Sequence, residues 1–268
     1  GSAQPLRLSL DLRVQHLLAQ ELADAMQTFS AVGAAGVVMD AKTGELLAMV
    51  SLPTYDPEKP GTAPGDARFN RATLGTYEMG SVFKIFTTAM ALDEGVVTLR
   101  DGYDVRQPIR VSRFTIRDYH PENRWLSIPE IFMYSSNIGT VHMAMDAGTP
   151  RQKEFLGRLG LLQPAGVELS EVGQPLVPSP WREINTMTIS YGQGLAVSPL
   201  QLTSAVAAMV NGGTEARATL LRQDAAQVKP GRRVISAATS ESMRRLMRLV
   251  VVKGTGRKAN AEGYLVGG

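Results

Sequence analysis

Several classes of protein are excluded by what this 268-residue sequence lacks. It has no cysteine, which rules out a disulfide framework and a thiolate zinc site. No apolar run approaches the ~18–20 residues that a membrane span requires. No Lys/Arg run or basic–aromatic stripe accompanies the net charge of +3, so nothing indicates nucleic acid as a partner. His16, His120 and His142 lack metal-ligand spacing, and no Gly-x-Ser-x-Gly elbow indicates a Ser-His-Asp hydrolase.

The residues that are present predict a globular protein. Hydrophobic residues make up 44% of a chain long enough for one large domain or two small ones. Gly1 and Ser2 are typical of a cloning scar left after tag removal, so the natural domain is expected to span residues 3–268. Because an anchor or signal upstream would have been removed with the tag, the lack of a targeting segment carries no information about the native protein.

The hydrophobic pattern predicts an α+β fold. Apolar residues recur at helical spacing over 10–29, with Ser9 or Asp11 as the N-cap. Two apolar runs, 36–40 and 45–51, flank a short Gly-containing loop and predict a β-hairpin in a sheet covered on both faces. The other predicted elements are irregular β structure at 101–119 and helices at 127–146, 151–159, 199–211 and 238–250. Strands at the front and helices in the middle favour α+β over alternating βαβ units.

A possible nucleophile and its base follow a Pro- and Gly-rich surface loop over residues 52–77. The next helix is expected to open near Gly80 and Ser81 and to end at a Gly95 C-cap. Ser81 and Lys84 are three residues apart, so they share one helix face with Cβ atoms ~5–6 Å apart. A lysine in a desolvated site can take the serine proton, and the helix N-terminus favours developing negative charge. An isolated Ser-x-x-Lys match is more often only a solvated helix face.

A second polar cluster, Ser135-Ser136-Asn137, lies between two predicted helical stretches. Ser135 and Asn137 alternate along the chain, so both side chains can point into one cleft. A second hydroxyl can relay a proton to a leaving amine, and an Asn amide can bind a substrate carbonyl and hydrogen-bond the lysine. By itself, the tripeptide is more often a helix N-cap with a polar turn.

In this order and spacing, the two clusters resemble the signature of the serine β-lactamase and penicillin-binding protein superfamily. The rest of the chain is similar to class B penicillin-binding proteins, above all to the division-specific penicillin-binding protein 3 type of proteobacteria. The segments that carry this likeness are 70–72, 77–84, 117–120, 191–194, 198–201 and 253–259. The resemblance implies a transpeptidase domain over residues 3–268, in which helices flank an antiparallel sheet beside an all-helical subdomain.

The third motif of this superfamily, Lys-Thr/Ser-Gly, does not occur where relatives have it. Lys42-Thr43-Gly44 has the right residues but precedes Ser81, and its glycine suits a hairpin turn with a positive φ. Lys253-Gly254-Thr255-Gly256 has the wrong order and is predicted to be a loop after the 238–250 helix. In relatives the motif follows a stretch like 263–268, so we expect a domain truncated just before it, with its C-terminal strands missing. Either those residues lie outside this sequence or the fragment is inactive.

The resemblance also implies an activity and a setting. Ser81 would be the nucleophile, Lys84 its base, Ser135 the proton relay and Asn137 a substrate contact, with no metal or organic cofactor. The implied substrate is a peptidoglycan stem peptide ending in D-Ala-D-Ala, and β-lactams would acylate Ser81. Relatives lie in the inner membrane through an N-terminal anchor, with this domain in the periplasm. They work with a septal glycosyltransferase and other division proteins.

Three alternatives remain open at this point. A β-lactamase shares the first two motifs but needs a group, such as a glutamate, that activates a deacylating water, and none can be placed from the sequence. A β-lactam sensor domain would hold the acyl group without exchanging peptides. An elongation-specific penicillin-binding protein would differ from the division type in its cellular role alone.

Overall fold

The structure is a computed structural model that describes residues 5–224 and 228–268, so the predicted scar at Gly1 and Ser2 lies outside the described residues. The helices in these ranges are α1 (Leu12–Phe29), α2 (Lys84–Asp93), α3 (Ile128–Met133), α4 (Asn137–Ala147), α5 (Thr149–Arg158), α6 (Glu183–Ser190), α7 (Pro199–Val210) and α8 (Ala237–Lys253). The strands are β1 (Ala34–Met39), β2 (Leu46–Leu52), β3 (Tyr77–Glu78), β4 (Gly102–Asp104), β5 (Ile109–Val111), β6 (Phe114–Ile116), β7 (Trp125–Ser127) and β8 (Ala196–Val197). Short 3-10 turns occupy Pro60–Thr62, Gly80–Phe83 and Arg257–Ala259.

The described strands pair two by two, and each pairing is antiparallel: β1 with β2, β3 with β8, β4 with β7, and β5 with β6. Helices form most of the remaining regular structure, which confirms the predicted α+β class. No helix in the described residues is long and apolar enough to cross a membrane.

The N-terminal helix and hairpin form as predicted. Asp11 is the N-cap of α1, since its carboxylate accepts a hydrogen bond from the backbone N–H of Arg13. On one face of the hairpin, Gly36 lies against leucines of α1, and a Cβ there would approach the Leu18 side chain to 2.9 Å. On the other face, Val37 packs in a cluster with Leu200 of α7. The hairpin is therefore covered on both faces, because neighbouring strand residues point in opposite directions.

The largest core surrounds α2. Eight of its ten residues are buried, and helices α3 to α8 all pack against it. Phe83 and Phe86 meet edge to face with ring centroids 5.3 Å apart, beside residues of α8 such as Met243 and Leu246. Because the core encloses α2 from several sides, the first residue of this helix, Lys84, is also buried.

Two features differ from the sequence-based expectations. The helix predicted over 127–146 is two helices, α3 and α4, separated by a turn in which Ser135 has φ 58°. A left-handed residue cannot continue an α-helix, so the chain changes direction there. Helix α6 was not predicted, because Thr186 and Ser190 are buried beside Met187 and Ile189, and this mixture hides an amphipathic pattern.

Candidate active site

Ser81 lies in the 3-10 turn that leads into α2. The turn places Ser81 on the surface, while Lys84, one turn later, is only 3% exposed. Lys84 Nζ lies 3.2 Å from Ser81 Oγ, within hydrogen-bonding distance. The spacing of three residues therefore brings a hydroxyl and an amine together, as predicted.

The turn between α3 and α4 completes this arrangement from the other side. Lys84 Nζ donates to Ser135 Oγ at 2.8 Å and to the Ser135 backbone oxygen at 2.5 Å. Ser136 is the N-cap of α4, where its hydroxyl accepts from the Gly139 N–H at 3.0 Å. The tripeptide therefore includes a helix N-cap at Ser136 and a hydroxyl at Ser135 that reaches the lysine. The proton relay by Ser135 stays a prediction.

The electrostatics of the site raise the fraction of Lys84 that is neutral near physiological pH. Burial lowers the pKa of Lys84 from 10.5 to about 8, and the nearby carboxylate of Asp118 partly opposes this by raising it. Burial acts in this direction because an ammonium ion loses hydration that its few polar contacts replace only in part. An amine with this pKa can exchange protons with neighbouring hydroxyls near neutral pH.

Asp118 supports the Ser135–Asn137 turn, a role that the sequence did not reveal. Its two carboxylate oxygens accept from Ser136 Oγ at 2.8 Å and from the Ile138 N–H at 2.9 Å. The turn has serine in the middle where the superfamily signature has aspartate, and a carboxylate from a distant segment lies against it. The one available signal was that Asp118 belongs to the segment 117–120, which resembles the family.

Asn137 does not join the cluster around Lys84 in the described contacts. Its Nδ2 donates to the backbone oxygen of Arg117 at 2.8 Å, and the hydrogen bond to the lysine expected from the sequence is not formed. The structure thus brings Ser81, Lys84 and Ser135 together and places Asn137 at the edge of the same turn. A substrate contact by Asn137 stays a prediction.

These groups open into a cleft of about 380 Å³. Its walls come from the Ser81 turn, the Ser135 turn, α7, α8 and the end of the described chain: Ser81, Val82, Lys84, Ile85, Phe132, Ser135, Val206, Met247, Val250, Thr255, Gly267 and Gly268. None of these lining residues is a carboxylate. The cleft is large enough for a short peptide segment, and Ser81 lies at its wall beside the Lys84 amine.

The other candidates from the sequence have structural roles or none in this cleft. Lys42-Thr43-Gly44 forms the turn between β1 and β2, where Gly44 has φ 77° as predicted. Lys253 is the last residue of α8, so only residues 254–256 form the predicted loop, and Thr255 of this loop borders the cleft. His16 and His120 are exposed, and His142 stacks on Tyr103 with ring centroids 5.4 Å apart. No group of three or more side chains that could hold a metal ion occurs in the described part of the chain.

Comparison with known proteins agrees with this geometry. Residues 34–268 match the model of the penicillin-binding protein transpeptidase domain. The chain belongs to this family. It is 44% identical to the probable peptidoglycan D,D-transpeptidase FtsI of Caulobacter vibrioides over 100% of the chain and 46% of that protein. It is 35% identical to the probable peptidoglycan D,D-transpeptidase PenA of Neisseria flavescens over 99% of the chain and 66% of that protein.

Solved structures support the same assignment. The transpeptidase domain of penicillin-binding protein 3 from Burkholderia pseudomallei superposes with a TM-score of 0.88 at 30% identity. That alignment covers 100% of this chain and 77% of the other. The resemblance to class B penicillin-binding proteins of the penicillin-binding protein 3 type is therefore confirmed, together with the transpeptidase fold. The chain spans about half the length of the Caulobacter relative.

Proposed function

We propose that the protein is a serine D,D-transpeptidase that cross-links peptidoglycan stem peptides through an acyl-enzyme on Ser81. The observation that carries this proposal is the position of one buried amine, Lys84 Nζ, between the hydroxyls of Ser81 and Ser135 at 3.2 and 2.8 Å. Acyl transfer by a serine requires a base beside the nucleophile, and a second hydroxyl next to that base can carry the proton to the leaving amine.

The first step is the attack on the substrate. Neutral Lys84 takes the proton of the Ser81 hydroxyl, and Ser81 Oγ bonds to the carbonyl carbon of the penultimate D-Ala. The carbonyl oxygen becomes an oxyanion, which the Ser81 backbone N–H stabilises at the start of the helical turn. A second N–H would come from a Lys-Thr/Ser-Gly strand, as in the family signature.

The second step expels the terminal D-Ala. Its amine leaves as the peptide C–N bond breaks, and it takes a proton from Ser135. The Lys84 ammonium replaces that proton along the hydrogen bond from Nζ to Ser135 Oγ. The amine of a neighbouring stem peptide then attacks the acyl carbon, which forms the cross-link and frees Ser81.

The same chemistry explains the proposed inhibition by β-lactams. Their strained amide mimics the D-Ala-D-Ala peptide bond, so Ser81 Oγ would bond to its carbonyl carbon as the ring C–N bond breaks. The released amine stays attached to the acyl group and cannot diffuse away as D-Ala does. The lining of the cleft contains no carboxylate to activate a deacylating water. This absence among the lining residues favours a long-lived acyl-enzyme and a transpeptidase over a β-lactamase.

The cellular setting follows from the relatives and is proposed on the same basis. The FtsI and penicillin-binding protein 3 relatives favour a septal role in cell division over elongation. We place the catalytic domain in the periplasm, attached to the inner membrane through an N-terminal anchor outside this chain. A septal glycosyltransferase and other division proteins would be its partners.

Mass spectrometry of the full-length protein after treatment with penicillin tests the proposal. We expect one stoichiometric adduct that persists for hours and maps to the peptide containing Ser81. Exchange of a labelled D-amino acid into a stem-peptide donor should accompany it, and this exchange separates a transpeptidase from a β-lactam sensor. Rapid loss of the adduct would indicate a β-lactamase, and an adduct on another residue would contradict the assignment of Ser81.

A further inference from the structure

The residue before the nucleophile is held by a second backbone segment that is distant in sequence. Gly80 has φ 57°, and its N–H donates to the backbone oxygen of Gly192 at 3.1 Å. Gly192 has φ 87°, and a Cβ built on it would lie 1.9 Å from the Gly80 oxygen and 2.6 Å from the Gly80 nitrogen. The Cα of Gly192 therefore packs directly on the peptide backbone of Gly80, and only a glycine fits at this position.

This contact bears on the proposed oxyanion donor through the planarity of the peptide bond. The carbonyl of Gly80 and the N–H of Ser81 belong to one peptide unit, which is rigid and planar, with the two groups pointing in opposite directions. Gly192 thus touches one end of the unit whose other end is the N–H proposed to bind the oxyanion. Among the backbone hydrogen bonds that the described residues make outside helices and strands, none is donated by the Ser81 N–H.

The segment that carries Gly192 is itself firmly attached to the catalytic helix. Thr87 of α2 donates its hydroxyl to the Ser190 backbone oxygen at 2.8 Å in a buried position. The strands β3 and β8 pair immediately outside this contact, with Glu78 opposite Ala196. These connections leave the Gly80–Gly192 contact little freedom to shift, as a donor in a preorganised site requires.

We infer that Gly192 is a positioning residue that sets the direction of the Ser81 backbone N–H, the donor to the acylation oxyanion. This inference rests on the proposed function of Ser81. Gly192 does not touch the substrate, and it acts through the Gly80–Ser81 peptide unit. A side chain at this position would rotate that unit and move the N–H away from the developing negative charge.

The test is Gly192→Ala in the full-length protein, with Gly194→Ala as its matched control. Both glycines lie in one loop with nearly equal φ, 87° and 88°, but a Cβ on Gly194 would meet only side-chain atoms, Thr188 Oγ1 at 3.2 Å and Ile189 Cγ1 at 3.9 Å. The control thus shares the backbone strain without the collision with Gly80. Stopped-flow measurements with a fluorescent penicillin separate the dissociation constant of the non-covalent complex from the first-order acylation constant.

For Gly192→Ala we expect the acylation constant to fall about 10²-fold, as after loss of an oxyanion donor, with the dissociation constant within about threefold of the unsubstituted protein. For Gly194→Ala we expect acylation within about threefold, because strain at a left-handed φ affects folding rather than the reacting geometry. A merely structural role would lower the folded fraction of both variants and leave the acylation constant of folded molecules unchanged. That result, or equal losses in the two variants, would overturn the inference.

Two further outcomes are decisive. If Gly192→Ala does not fold, amide hydrogen exchange in the unsubstituted protein provides the test. The Gly80 N–H should be protected by at least about 10²-fold, and unprotected exchange would refute the Gly80–Gly192 contact. If the unsubstituted protein is not labelled by penicillin at all, the proposed function fails and this inference fails with it. If penicillin labels the unsubstituted protein and Gly192→Ala is acylated at the same rate, the inference about Gly192 is wrong while the proposed function stands.

Discussion

Lys42 and Lys84 both lie near hydroxyl-bearing residues in segments that resemble catalytic motifs, but their surroundings differ. Lys42 is exposed in the turn between β1 and β2, where the backbone N–H groups of Lys42 and Thr43 donate to Asp40 Oδ1 at 2.8 and 3.0 Å. Lys84 is buried, and its amine contacts Ser81 and Ser135. The residue types of a motif thus do not identify a reactive lysine by themselves, whereas burial distinguishes Lys84 from Lys42.

The physical reason lies in the cost of placing an ammonium ion in a protein interior. Removing such a group from water costs several kcal/mol unless polar partners replace the lost hydration. At Lys84 the partners are two serine hydroxyls and one carbonyl, and the remaining cost appears as a pKa of about 8. A turn lysine in solvent, such as Lys42, keeps its hydration and has no such cost.

The strongest test of this contrast removes the nucleophile. Ser81→Ala should abolish covalent penicillin labelling, because among the described residues that line the cleft no other hydroxyl is both exposed and next to the lysine. Since Ser81 is on the surface, the melting temperature should change little. Gel fluorescence with a labelled penicillin measures the first effect and circular dichroism the second. Persistent labelling of this variant would refute the assignment of the nucleophile.

The next largest effect is expected from substitution of the base. Lys84→Met, which keeps most of the side-chain volume, should slow acylation about 10²–10⁴-fold, the usual contribution of a general base. Lys42→Met is the matched control, and it should stay within about twofold of the unsubstituted protein, as exposed substitutions commonly do. Second-order rate constants for penicillin acylation provide the measurement. Equal losses in the two variants would show that burial does not separate these lysines.

A smaller and more specific effect concerns the carboxylate near the base. The Asp118 charge raises the pKa of Lys84, so Asp118→Asn should lower that pKa further below about 8. Because acylation requires neutral Lys84, the acid limb of its pH profile should then move to lower pH. The asparagine oxygen can still accept from the Ile138 N–H, which limits damage to the turn.

Ser136→Ala provides the control for the carboxylate. It removes a hydrogen bond to Asp118 but keeps the charge, so its pH midpoint should match that of the unsubstituted protein even if its maximal rate falls. A midpoint for Asp118→Asn that stays in place or moves to higher pH would show that the carboxylate does not act on the base.

In contrast to the substitutions around Lys84, a substitution in the turn between β1 and β2 should lower stability and leave acylation unchanged. Gly44→Ala places a Cβ 1.9 Å from the Arg217 backbone oxygen at φ 77°, so the free energy of unfolding should fall by about 1–3 kcal/mol. Gly95→Ala, at φ 66° with no atom within 4 Å, should cost less because it adds strain without a collision. Denaturant unfolding gives the two values. A slowed acylation in folded Gly44→Ala would connect the turn to the site.

The parts of the fold that local patterns determine were predictable from the sequence. Helix α1 and the β1–β2 hairpin follow from apolar periodicity, and α2 ends before Gly95, which has φ 66°. Elements that depend on burial from several sides were not predictable, as α6 and the two-residue strands β3 and β8 show. The turn at Ser135 had a signal in its polar residues, but periodicity alone favoured one continuous helix.

The contacts of the candidate site also fall into those that the sequence predicts and those that only the fold reveals. The proximity of Ser81 and Lys84 follows from helical spacing alone, so it was predictable. Asp118 and Gly192 reach the site from segments distant in sequence, and only folding reveals their contacts. Asn137 was expected to touch the lysine because two residues of one turn alternate, but the turn is left-handed at Ser135 and directs the amide to Arg117.

The central claim is that burial makes Lys84 a base that works near neutral pH. Its most direct test is an NMR titration of the lysine side chains in the full-length protein, with Lys84→Met to assign the signal. The account predicts that the signal absent from the variant titrates near pH 8, well below the ordinary lysine value of 10.5. A titration of that signal at the ordinary value would contradict it, because the amine would then be charged when the hydroxyl needs a base.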